Sequence, residues 1–276
     1  MFRLLNIEIH KLKHSRASKV LIILYFALLT SISLIAAIKF DIGPIQFHLA
    51  DMGIFNFPYI WHFNTYTASI FKFFLLLVIV SMMANEYSNK TLKQNLIDGL
   101  SKKEFILSKF YTVIALAALS TIFVFIVSLV LGYMYSDYTE FSIVMDDIEF
   151  LFAFFIKLVG FFSFGLFLGI LIKRSAFAVG GLLIWAFIEN AIIRGFLFWK
   201  LKDHMDDIMR FLPLEAMSNL IKEPGTRLDA VKSIGKQVGE NWGGKVSAQP
   251  LDILIVMIWT GIFIYLSYIL VKKRDL

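Results

Sequence analysis

Four ionisable side chains, Lys72, Lys157, Glu189 and Arg194, interrupt stretches of sequence that are otherwise apolar enough to lie in lipid. A charge in hydrocarbon is costly and marks a functional or packing constraint by default. At a rise of about 1.5 Å per residue, Lys72, Lys157 and Glu189 each fall about 10 Å below the outer membrane face, with Arg194 nearer to it. Glu189 is too short to reach the headgroups, so it is expected to pair with Lys72, Lys157 or both, at a pathway or a helix contact. The lysines have a second option, since a long side chain at that depth can snorkel to the interface without a partner. Other chemistry has little support. His10 and His14 stand four apart, but no carboxylate at a useful spacing joins them, and they sit among Lys and Arg. Asp146-Asp147 reads as solvation of a loop, and no nucleophile triad or carboxylate dyad is spaced for catalysis. With Cys 0, thiolate and disulfide chemistry is excluded. No metal site is expected.

The elements that must carry these charges follow from composition. The chain has 276 residues, 58% of them apolar and 17% charged, with 29 Phe; soluble domains run about 45–50% apolar and about 25% charged. The surplus implies lipid contact and an all-α membrane protein, a single domain over 1–276. Six stretches reach the roughly 20 residues a span needs: 20–38, 65–84, 110–135, 150–172, 176–199 and 250–271. Lys and Arg crowd the N-terminal segment, the 85–109 loop, the Lys173-Arg174 turn and the Lys272-Lys273-Arg274 tail, while the loop after the third span carries only acids. The positive-inside rule then makes both termini cytoplasmic in a cell membrane. No soluble domain remains to bind nucleic acid. Gly165-x3-Gly169 allows a close helix contact, more readily within the bundle than at a dimer seam, and Gly180-Gly181 packs likewise or serves as a joint.

Three segments outside the spans have their own character. Within 1–16, Phe2, Leu5, Ile9 and Leu12 oppose Arg3, Asn6, His10 and Lys13, the pattern of a helix lying in the interface, either as an anchor or as a working element. The 200–249 segment, extracytoplasmic on this topology, predicts two short helices, one striped by Leu214, Met217, Leu220 and Ile221, the other by Leu228, Val231, Val238 and Trp242. The loop 85–109 is far longer than the about 2–8 residues an antiparallel connection needs. Leu92, Leu96, Ile97 and Leu100 line one side of a short helix, Gly99 can stop it, and Ser101 with Glu104 forms a capping box for the next. An apolar face there wants a partner groove or the lipid surface.

The run Glu86-Tyr87-Ser88-Asn89-Lys90-Thr91, followed by Leu96, Gly99, Ser101-Lys102-Lys103-Glu104 and Lys109, resembles the loop between the second and third spans of type-two export permeases of ATP-binding-cassette (ABC) transporters. The overall layout resembles theirs too: an elbow helix, six spans and a long outer segment before the last. The resemblance implies that Thr91–Leu100 is a coupling helix seated in a separate ATPase, with Glu86 and Thr91 matching an acid-x4-Thr pattern. Lys102 and Lys103 stand where many members have Arg, which keeps charge but loses the guanidinium fork. Lys173 and Arg174 would form a minor second contact with the ATPase. It further implies export and a pair of permeases, identical or related, above two ATPases. The chain's own Gly239–Val246 misses the phosphate-loop hydroxyl, so ATP and magnesium belong to the partner. A carrier independent of ATP, or an intramembrane enzyme, is the competing class. The former wants inverted repeats, which are absent from the sequence; the latter wants clustered His and carboxylates within the spans.

Overall fold

The computed structural model of the chain describes residues 2–37, 40–42, 45–47, 53–227 and 247–274. In chain order the helices are α1 (Phe2–His14), α2 (Arg16–Ala37), α3 (Tyr59–Ser88), α4 (Thr91–Ile97), α5 (Lys102–Tyr135), α6 (Phe141–Met145), α7 (Glu149–Ile172) and α8 (Ser175–Phe187). A π-helical stretch (Ile188–Ile193) joins α8 to α9 (Arg194–Lys200), followed by α10 (Met205–Met209), α11 (Pro213–Asn219) and α12 (Pro250–Lys273). Between α2 and α3 a small antiparallel hairpin pairs β1 (Phe40–Ile42) with β2 (Ile45–Phe47). Six helical stretches are long and apolar enough to cross a membrane. The second outer helix expected around Leu228–Trp242, and Gly239–Val246, lie outside the described residues.

Two helices run well past the apolar windows. α3 starts at Tyr59, six residues before the expected span, because its first turns are covered by protein. There Trp61 Nε1 donates to the Val144 carbonyl (2.8 Å) and His62 Nε2 to that of Lys222 (2.8 Å). α5 starts at Lys102 because the Ser101 side chain accepts from Glu104 N–H while the Glu104 carboxylate takes the Ser101 N–H. At 34 residues it is about 50 Å long, well over the about 30 Å of a hydrocarbon core, so its first turns stand outside.

The central helix is α7, packed by α3, α5, α8, α11 and α12. A Cβ on Gly165 would lie 2.2 Å from Leu76 Cδ1 of α3, and one on Gly169 3.2 Å from Met83 Cβ, so both glycines set the α3–α7 approach. A Cβ on Gly181 would lie 3.0 Å from Ile172 Cδ1, whereas one on Gly180 would enter open space. α2 and α8 form the flanks. Their exposed Val20, Ile23, Phe177, Ile184 and Phe187 suit lipid rather than water.

One end of the bundle gathers α1, α4, the α7–α8 turn and the end of α12. Lys102 Nζ donates to the carbonyls of Lys272 (3.2 Å) and Arg274 (2.9 Å). Arg274 in turn donates to Tyr87 Oη and the Ile170 carbonyl, both at 2.7 Å. The opposite end is closed by α6, α10 and α11, held to the start of α12 through Arg210 and Asp252.

Candidate functional site

The loop between α3 and α5 is built from local rules. α3 ends at Asn89, Lys90 turns left-handed at φ 55°, and α4 begins at Thr91. α4 stops after two turns in a Schellman arrangement, with Leu100 N–H to the Asn95 carbonyl (3.0 Å) and Gly99 N–H to that of Leu96 (3.2 Å). Gly99 takes the required positive φ of 95°.

This loop is tied to the bundle by buried charge. Glu86, in the last turn of α3, accepts from Thr91 Oγ1 (2.6 Å) and Asn95 Nδ2 (3.3 Å) of α4 through one oxygen. Its other oxygen takes Lys109 Nζ of α5 (2.5 Å) and Lys11 Nζ of α1 (2.8 Å). Lys109 also binds Glu8 of α1 at 2.7 Å. Two carboxylates and two ammonium groups thus join four helices, and Glu8, Glu86 and Lys109 are essentially shut off from solvent. Burial works against the Lys11 ammonium, but the Glu8 and Glu86 carboxylates outweigh it and hold its pKa above the ordinary lysine value. Each charge has a hydrogen-bonded opposite, the condition under which a buried ion pair is tolerated.

The cluster decides which way α4 faces. Leu92, at 2% exposure, is pressed into the core, Leu100 packs against that core, and Leu96 is half-buried. Lys93, Gln94 and Asp98 point outward with Ile97, which is 75% exposed. The expectation of one shared apolar side is therefore corrected. The helix ends at Ile97 and the chain reverses at Gly99, so Leu100 leaves the helical face, while the Thr91–Glu86 bond turns Leu92 inward. Of the other residues of this set, Lys103 is exposed, Lys102 is drawn to the end of α12, and Glu104 serves the cap of α5. Lys173 and Arg174 are exposed at the same end, with Lys173 Nζ 5.7 Å from the Tyr87 ring centre.

Sequence reasoning missed Glu8 and Lys11 and gave Lys109 only as part of the family resemblance, without its partners. Glu8 is the lone acid of a basic helix, on the i,i+4 row Leu4–Glu8–Leu12, and Lys109 is the one charge in the apolar approach to the third span. Those two facts, with Lys11 one turn from Glu8, are the available signal.

Towards the other end, the four intramembrane charges are arranged differently from the expectation. Glu189 pairs with neither lysine. Its carboxylate accepts from Trp185 Nε1 (2.9 Å), Leu214 N–H (3.3 Å) and Glu215 N–H (2.7 Å). The reason is α11, which folds back against the bundle and offers the unused N–H groups of its first turn, a demand no span-by-span reading contains. Arg194 binds Glu215 at 2.7 Å. Lys72 Nζ lies 4.6 Å from the Phe161 ring centre, and Lys157 Nζ reaches only the Ile221 carbonyl at 3.4 Å. Among the described residues no group of three or more His, Cys, Asp or Glu could hold a metal.

Six apolar helical stretches among the described residues, the buried α7 one of them, define a multi-pass membrane protein. The family model of ABC-2 family transporter proteins matches residues 4–189, well over half of the chain, and the chain belongs to that family. The family is the membrane component of transporters and is not itself catalytic. The matched stretch runs from α1 to Glu189 and contains every member of the Glu8–Lys11–Glu86–Lys109 cluster. No curated protein matches the chain.

Proposed function

We propose that the chain is the permease subunit of an ABC exporter, with α4 as the coupling helix that a separate cytoplasmic ATPase pushes. The observation that carries this reading is the pairing of an outward Ile97 face with an inward tie to α1, α3 and α5 through Glu86 and Lys109. A docking helix must expose apolar surface to its partner. It must also be rigidly joined to the spans it is to move, since coupling travels through packed, bistable elements rather than through loops.

On this reading α1, α4 and both chain ends lie in the cytoplasm of a cell-membrane protein. ATP and magnesium reside in the ATPase, and a second permease, a copy or a relative, completes the pathway. Lys93, Gln94 and Ile97 form the main contact, with Lys173 and Arg174 beside it. Closure of the ATPases drives the paired α4 helices together and tilts α3 and α5, switching access from inner to outer side. Export rather than uptake is supported by the kinship of the 85–109 loop with type-two export permeases.

Affinity purification of the tagged full chain from its native membranes tests the reading. An ATPase should co-purify with the wild type and be lost from Ile97→Asp, while the variant keeps its thermal stability in detergent. Retention of an equal amount of ATPase by the folded Ile97→Asp protein would overturn the assignment of α4.

A further inference from the structure

Lys72 and Lys157 lie among protein and lipid-facing surface with no carboxylate in salt-bridge range among the described residues. Lys72 Nζ has a ring face at 4.6 Å, and Lys157, 4% exposed, has one long contact to the Ile221 carbonyl. The carboxylates close by are already used. Glu189 is taken by Trp185 and two N–H groups of α11, and Glu215 by Arg194. Arg194 is thus the one paired cation of the three, and Lys72 and Lys157 have no carboxylate partner among the described residues.

Lys72 also lines a cavity of about 220 Å³ between α3, α7, α8, the π-helical stretch and α11, together with Leu182, Asn190, Glu215 and Ser218. Phe73 and Leu183, exposed apolar residues at its rim, make the opening one that faces hydrocarbon. The volume is below the about 300–1,000 Å³ of a pocket for a whole drug-sized ligand. It has room for a headgroup and none for acyl chains. An unpaired ammonium in a low-dielectric site is strongly unfavourable unless a counter-ion joins it, and the polar Asn190 and Ser218 line the cavity beside the charge.

We infer that this cavity is a lateral site for the anionic headgroup, phosphate or carboxylate, of a membrane-embedded amphiphile, with Lys72 as its counter-ion. The inference stands on the bundle alone and does not depend on the ATPase reading.

The test uses the full chain reconstituted in nanodiscs of equal parts phosphatidylglycerol and phosphatidylcholine. Lipid retained after detergent extraction is read by native mass spectrometry. The wild type should retain phosphatidylglycerol selectively. Lys72→Gln should lower that retention about tenfold, the effect of losing one charged hydrogen bond. Lys72→Arg should keep it, as should Lys200→Gln at an exposed position near the same end. A second arm measures the thermal shift given by inorganic phosphate in uncharged detergent. Lys72-dependent stabilisation there, without lipid retention, assigns the site to a soluble anion and keeps its anion chemistry. Retention and thermal shift both unaltered in a folded Lys72→Gln protein overturn the site.

Discussion

Lys109 and Glu8 stand 101 residues apart in the chain, yet they form an ion pair of 2.7 Å with side-chain exposures of 0% and 2%. The pair pins α1 to the first turns of α5, and Glu86 extends the same link to α4. Removing one partner from such a pair leaves an uncompensated buried charge, at a cost of about 3–5 kcal/mol. Lys109→Met is therefore expected to lower stability by that order, because Glu8 loses its strongest partner. The double variant Lys109→Met with Glu8→Gln should recover part of the loss. Unfolding in mixed micelles, run as a double-mutant cycle, measures the coupling, and simple additivity would contradict it.

Thr91→Val removes the 2.6 Å hydrogen bond that anchors the start of α4 to Glu86. A hydrogen bond to a charged group is worth about 1.5–3 kcal/mol. The loss should be local, because Glu86 keeps Lys109 and Lys11. Amide exchange over 91–97 is expected to accelerate while α7 stays protected. Uniform acceleration across both helices would mean that α4 has no separate anchor.

Gly165→Ala and Gly180→Ala should act with opposite sign. The first places a Cβ 2.2 Å from Leu76 Cδ1 in the α3–α7 contact, and the second places one in open space. Overpacking typically costs about 1–3 kcal/mol, whereas Gly to Ala in a helix interior gains about 1 kcal/mol. Melting temperatures in one detergent should fall for Gly165→Ala and hold or rise for Gly180→Ala. Equal shifts would remove Gly165 as a packing determinant.

These cases show what the sequence makes legible. A span is a property of about 20 consecutive residues, a capping box of four, and a Schellman stop of six. The six crossings, the Ser101–Glu104 cap and the stop at Gly99 can accordingly be read directly. The Glu8–Lys109 pair and the Glu189–α11 contact join segments with no shared periodicity, so no local pattern announces them. The facing of α4 fails for an intermediate reason. Four apolar residues at helical spacing suggested one side, but a seven-residue helix tethered at Thr91 divides them, Leu92 inward and Ile97 outward.

Glu189→Gln tests what holds α11 to the bundle. The carboxylate serves three donors at once, one from α8 and two from the start of α11. An amide offers a single oxygen and turns an NH₂ group toward other donors, so at least one buried N–H is left without an acceptor, at about 1–3 kcal/mol. The strain should fall on α11, because the Arg194–Glu215 bridge and the lipid-facing part of α8 do not use that carboxylate. Exchange over 213–219 should rise sharply in Glu189→Gln, while 91–97, at the far end of the bundle, should be unchanged. If 91–97 loosened instead and α11 stayed protected, the carboxylate would be acting through the length of the spans rather than as the clasp of α11.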